Sequence, residues 1–139
     1  MNYREFWKAL TEDHLEDLHE AMNAEIYRNV IRDSGYVIEY ALKAALCHRN
    51  NFNLSAEEGK YKTHKFDALL TKANLKDEFK KEQQNNPKFK AYWSVSSQWD
   101  PTLRYKRIKG SDAKKTSERR MKAIIDREDG VKRWIELHW

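Results

Sequence analysis

GYVIEYALKAAL, residues Gly35–Leu46, is apolar on most of its circumference when it is drawn as a helix. Its apolar residues recur at i, i+4 spacing in two neighbouring rows, Val37, Ala41 and Ala45 in one and Ile38, Leu42 and Leu46 in the other. A helix with this pattern is normally a central, buried one. Glu39 and Lys43 interrupt it, with the acid four residues before the base, which is the favourable order for a pair on one helix face.

The segments on either side of this helix also show helical periodicity, and glycines and prolines are too few for a fold built on tight turns. We predict an all-α fold, a single up-and-down bundle of about five helices that forms one domain over residues 1–139. The predicted elements are a long helix over 3–29, the central helix over 30–50, a polar connection over 51–62, a short helix over 63–75, a frayed helix end and surface loop over 76–88, an aromatic-rich helix from Phe89 to Val95, a loop over 100–111, and a last helix that Gly130 kinks.

Charge is distributed unevenly along the chain. The net charge is +5, yet the segment 104–122 alone holds nine basic residues against two acids, and residues 1–29 hold seven acids against three basic residues. A chain polarised in this way can bind an acidic partner, or a second copy of itself, through its basic end. The single cysteine, Cys47, excludes an intrachain disulfide and favours a cytoplasmic protein, and no long apolar run indicates a membrane span.

Four stretches resemble, in order, the motifs of prokaryotic HEPN domains. Residues Gly35–Ala44 resemble the G-Y-x-x-E-x-x-L-K-A signature, and residues Thr63–Leu70 resemble the following H-D/N-L-x-x-L-L element, with Lys65 and Phe66 in place of its usual acid or amide and leucine. Trp99 followed by Arg104-Tyr105 resembles the W-x(n)-R-Y element, and Gly130–Ile135 resembles the final helix. The matches together span about residues 30–136.

The resemblance implies a helical bundle that often forms a homodimer and belongs to prokaryotic toxin–antitoxin or defence systems. Some HEPN proteins are metal-independent ribonucleases with an Arg-x(4–6)-His motif across a dimer cleft. Others lack this motif and act as binding or scaffold modules beside a nucleotidyltransferase. The one Arg-x4-His match in this chain is Arg133 with His138, but Trp134 follows the arginine where the family usually has Asn, Asp or His. On a straight helix these two residues also point about 140° apart.

Two groups of residues are further candidates for chemistry or binding. Glu39, Lys43, His64, Arg104 and Tyr105 form either a buried network that fixes helix register or a polar cleft. In the cleft, His64 would be a general base and Arg104 or Lys43 would hold a phosphate. The basic segment, with Lys106 and Arg107 next to Tyr105 and near Trp99, is either a solvated surface or a track for a phosphate backbone.

Three functions follow as hypotheses. The first is a cytoplasmic, homodimeric HEPN-like binding module that engages RNA or a protein, such as a nucleotidyltransferase-like antitoxin or a toxin, without catalysis. The second is a metal-independent HEPN ribonuclease, with its site at His64 and Arg104 or at Arg133 and His138. The third is an immunity-type protein that neutralises a toxin. No metal-ligand spacing and no phosphate-binding glycine loop occurs in the sequence, so we expect neither a metal nor a cofactor.

Overall fold

The computed structural model describes residues 2–50 and 63–139, and every regular element in these two ranges is helical. The predicted all-α class is therefore confirmed, with seven α-helices in the described residues where about five were expected. The elements in order are α1 Tyr3–Asn23, α2 Tyr27–Asn50, α3 Phe66–Lys72, α4 Lys76–Asn85, α5 Pro87–Ser96, a 3₁₀ helix Pro101–Tyr105, α6 Gly110–Ile125 and α7 Val131–Glu136. The polar connection predicted at 51–62 lies outside the described residues.

Helix α2 is the central element, as its sequence predicts. Both apolar rows of residues 37–46 are fully buried, and α2 packs against α1, α3, α6, α7 and the 3₁₀ helix. Gly35 is a point of close approach, because a Cβ atom there would lie 1.8 Å from Cδ2 of Trp99. One apolar cluster joins α2 to buried side chains of all six other α-helices.

The boundary between the first two helices differs from the prediction of 3–29 and 30–50. Helix α1 ends at Asn23 because Glu25 adopts a left-handed backbone conformation, with φ of 60°. The N–H of Ile26 then donates to the carbonyl of Ala21 over 2.8 Å, which satisfies a carbonyl at the helix end. Helix α2 consequently begins at Tyr27, three residues earlier than expected.

Residues 76–88 are not a frayed end and loop, so this prediction was wrong. Lys76–Asn85 form helix α4, and Phe79 anchors it by edge-on contacts with Phe89, Trp93 and Trp134. Asn86 ends α4 and caps α5, since its side-chain oxygen accepts the N–H of Phe89 over 3.1 Å.

The last predicted helix is two helices rather than one kinked helix. Helix α6 ends at Ile125, and the carboxylate of Asp126 then accepts the N–H groups of Glu128 and Asp129, each over 3.0 Å. This turn replaces the helical hydrogen bonds, and α7 starts only at Val131. The predicted 100–111 loop likewise contains the 3₁₀ helix and the first residues of α6.

Candidate functional site

The charges on the central helix meet in its buried face. Glu39 and Lys43 are 2% and 4% exposed, and Nζ of Lys43 lies 3.2 Å from Oε2 of Glu39. Nδ1 of His64 donates to the other oxygen, Oε1, over 2.5 Å. Nζ of Lys43 also lies 5.0 Å from the centre of the Trp7 ring, which favours the cation. Glu39 thus contacts both Lys43 and His64, and both of its carboxylate oxygens are occupied.

His64 connects this buried pair to the surface. Its side chain is 54% exposed, and it lies at the rim of an open depression of about 560 Å³ with an aromatic floor that includes Trp93 and Trp99. A histidine oriented by a buried carboxylate has the arrangement of a general base. The geometry around His64 therefore permits proton transfer to a molecule in the depression.

Two stacked tyrosines lie beside this pair on α2. The rings of Tyr36 and Tyr40 are 5.8 Å apart, and the imidazole of His14 meets both rings edge-on. Burial, followed by the negative charge of Glu39, raises the pKa of Tyr40 to about 12. The Tyr40 hydroxyl is therefore protonated at neutral pH and can serve as a hydrogen-bond donor but not as a nucleophile.

Arg104 and Tyr105 do not join the buried cluster, which corrects the predicted five-residue cleft. Both side chains are exposed at the end of the 3₁₀ helix, and the Arg104 guanidinium lies 4.8 Å from the centre of the Tyr105 ring. Among the described residues, Glu39 forms ion pairs with Lys43 and His64 alone. Arg104 acts on residues near the cluster only by long-range electrostatics. Burial raises the pKa of Tyr36, and the positive charge of Arg104 opposes that rise.

Trp99 is a packing residue in this structure, although the sequence indicated it as a binding residue. It is 8% exposed, and its ring stacks on Phe66 with centroids 5.7 Å apart. Its indole N–H donates to the backbone carbonyl of Arg32 over 2.8 Å. Trp99 therefore joins the segment after α5 to α2, and it also lines the depression beside His64.

The Arg133–His138 match is not on one helix, because α7 ends at Glu136. Arg133 is exposed and lines a depression with Glu82 and Leu137. His138 is half-buried and packs on the Trp134 ring, with centroids 4.9 Å apart. Burial lowers the pKa of His138, and the charge of Arg49 lowers it further, so the imidazole is mostly neutral at physiological pH. The two side chains thus have different surroundings.

Lys106 and Arg107 are exposed on a segment that two arginines of α2 hold in place. Nε of Arg28 donates to the carbonyl of Ile108 over 2.8 Å, and Nη2 of Arg32 donates to the carbonyl of Lys106 over 3.1 Å. Neither arginine belongs to the candidate residues that the sequence indicates. Their i, i+4 spacing on α2 was the available signal, because it places both on one helix face.

In the part of the chain that the structure describes, no group of three or more His, Cys, Asp or Glu side chains could hold a metal ion. No helix among the same residues combines the length and apolar character that a bilayer span requires. Comparison with models of protein families, with characterised proteins and with solved structures gave no match to this chain.

Proposed function

We propose that this chain is a HEPN-like binding module of a prokaryotic defence or toxin–antitoxin system, which engages a protein or RNA without cleaving it. The order of the four motifs supports the family. In this proposal the helices form a HEPN-like bundle, and the chain acts in the cytoplasm as a homodimer. Its protein partner is a nucleotidyltransferase-like antitoxin or a toxin.

One observation carries the non-catalytic part of the proposal. The two charges of the signature, Glu39 and Lys43, neutralise each other inside the bundle, and His64 occupies the remaining carboxylate oxygen. Arg104 lies outside against Tyr105. A buried pair that is saturated in this way holds helices in register, and it leaves no free charge to stabilise a transition state.

A second candidate is a metal-independent ribonuclease, and the exposure of His64 favours it. Its imidazole is oriented by a carboxylate and opens onto a depression large enough for a nucleotide. If this function holds, His64 is the base, and the guanidinium that stabilises the transition state must come from elsewhere.

The two functions differ in one assay, the incubation of purified protein with total RNA in the presence of EDTA. Wild type is compared with His64→Ala, Arg104→Ala and His138→Ala, and with His19→Ala as an exposed-histidine control on α1. We expect intact RNA with all five proteins. Cleavage that is lost in His64→Ala and kept in His19→Ala would contradict the proposal and assign the base. Cleavage lost only in His138→Ala would instead assign the site to the chain's Arg-x4-His match.

A further inference from the structure

The segment from Lys106 to Gly110 runs along α2, and two guanidinium groups bind its backbone there. Arg28 and Arg32 are one helical turn apart, about 6 Å along the axis, and alternate carbonyls of an extended chain are about 6.6 Å apart. The spacing explains why Arg32 binds the carbonyl of Lys106 and Arg28 binds that of Ile108. Each arginine donates one hydrogen bond to the segment. These bonds orient both guanidinium groups in the absence of a ligand.

The cations gathered along this segment form no close ion pairs, although Asp33 interacts electrostatically with Arg32 and Asp100 with Lys106. In the described ranges, none of Arg28, Arg32, Lys106, Arg107 and Lys109 lies within ion-pair distance of a carboxylate.

A depression of about 440 Å³ opens between these cations. Arg28, Arg107 and Lys109 line it together with Ile108 and Gly110. Gly110 leaves space for the Arg28 guanidinium, because a Cβ atom there would lie 2.8 Å from its Nη2. Three positively charged residues therefore line one cavity, and one of them is hydrogen-bonded to the backbone of the segment.

We infer that this depression is a binding site for phosphate groups, formed by Arg28, Arg107 and Lys109. Guanidinium groups match the paired oxygens of a phosphate, and lysine adds a mobile point charge. A carboxylate ligand would satisfy one guanidinium, whereas a phosphate has enough oxygens for all three side chains. The inference rests on the proposed binding function and specifies the chemistry of the partner. The phosphate belongs either to a small free ligand or to a phosphodiester backbone.

The test compares two double variants of equal charge. Arg107→Ala/Lys109→Ala removes two cations of the site, and neither side chain makes a hydrogen bond or ion pair in the described structure, so folding should be unaffected. Lys80→Ala/Lys90→Ala removes two exposed cations from α4 and α5 and is the control. The probes are inorganic pyrophosphate, measured by calorimetry, and a labelled single-stranded oligoribonucleotide, measured by anisotropy over a range of salt concentrations.

We expect the site variant to bind at least one probe about tenfold more weakly than wild type, and the control to stay within about twofold. Loss of pyrophosphate binding would identify a free phosphate ligand. Loss of oligonucleotide binding, with a salt slope smaller by about 2, would identify a phosphodiester backbone. Equal losses in both variants, or no binding of either probe by wild type, would overturn the inference. These outcomes are independent of RNA cleavage, so the phosphate site and the non-catalytic function can fail separately.

Discussion

The carboxylate of Glu39 shows how single residues shape this protein. It lies in a helix face that is otherwise apolar, where an isolated charge would be strongly unfavourable. Lys43 and His64 compensate for that burial, one at each oxygen. The sequence predicted the pair because i, i+4 spacing brings the two side chains together on any helix. It could not show that Arg104 is absent from the cluster, because that depends on how the 3₁₀ helix turns the chain.

Glu39→Gln should destabilise the protein by about 3 kcal/mol, because it leaves the Lys43 ammonium buried without its counter-charge. The free energy of unfolding in urea measures this loss. Glu16→Gln, at an exposed position on α1, removes the same charge and should change it by less than about 0.5 kcal/mol. The double variant Glu39→Leu/Lys43→Met removes both charges and should be more stable than Glu39→Gln. A double variant less stable than Glu39→Gln would contradict this role of the pair.

His138 should make stability depend on pH. Burial and then Arg49 lower its pKa in the folded state, while Glu78 and Glu82 oppose the shift, so the folded protein binds this proton less readily than the unfolded chain. The stability that the neutral His138 side chain contributes is therefore fully present above about pH 6.5, and it is lost as the pH falls through the pKa of His138 in the folded state. We expect the free energy of unfolding in urea to fall between about pH 7.5 and about pH 5, and to fall less for His138→Gln than for wild type. His19→Gln, at an exposed position on α1, should lose as much free energy of unfolding as wild type between the two pH values. An equal loss in all three proteins would contradict this prediction.

At the scale of elements, Gly35 determines how the segment after α5 packs on α2. Only a residue without Cβ lets the Trp99 ring lie against the helix, where it also stacks on Phe66 and binds the carbonyl of Arg32. A glycine inside a helix suggests close approach of another helix, but the neighbour of Gly35 does not belong to a helix. The partner is a tryptophan side chain, which helical periodicity alone could not identify.

Gly35→Ala should destabilise the protein by about 2 kcal/mol, because Trp99 must move and the gain in helix propensity is smaller than this cost. Thermal unfolding followed by tryptophan fluorescence measures both the loss and the displaced ring. Gly110→Ala is the matched control, since its new methyl group meets only the guanidinium end of the Arg28 side chain, which is exposed. We expect the control to stay within about 0.5 kcal/mol of wild type. If the two variants behaved alike, the Trp99 contact would not be the reason for glycine at position 35.

Helix α4 shows where prediction from sequence stopped. Its ten residues hold one large apolar side chain, Phe79, so no periodic stripe distinguishes it from a loop. Three aromatic rings from α5 and α7 enclose Phe79 and make the helix stable, and none of them is close to it in sequence. The break between α6 and α7 depends on hydrogen bonds of the Asp126 side chain, which periodicity also does not report.

For the whole molecule, the distribution of charged residues along the sequence predicted the charge asymmetry. The structure shows which residues lie together at the basic end. The lysines and arginines of residues 104–109 were evident in the sequence as a basic run. The contribution of Arg28 and Arg32 was not evident in the sequence, because both donate to backbone carbonyls and the sequence does not show which carbonyls lie near them. The residues of the proposed phosphate site therefore come from two parts of the chain, since Arg28 lies on α2 and Arg107 and Lys109 lie on the segment before α6.

The most direct test of the proposed function is the incubation of wild-type protein, in molar excess over a 5′-labelled RNA, with EDTA present. Under these conditions even one slow turnover per molecule would be visible on a denaturing gel. We expect the RNA to remain full-length, because Glu39 and Lys43 are committed to each other inside the bundle and Arg104 lies apart from His64. Discrete fragments made by wild type and absent with His64→Ala would contradict this expectation and make the protein a ribonuclease.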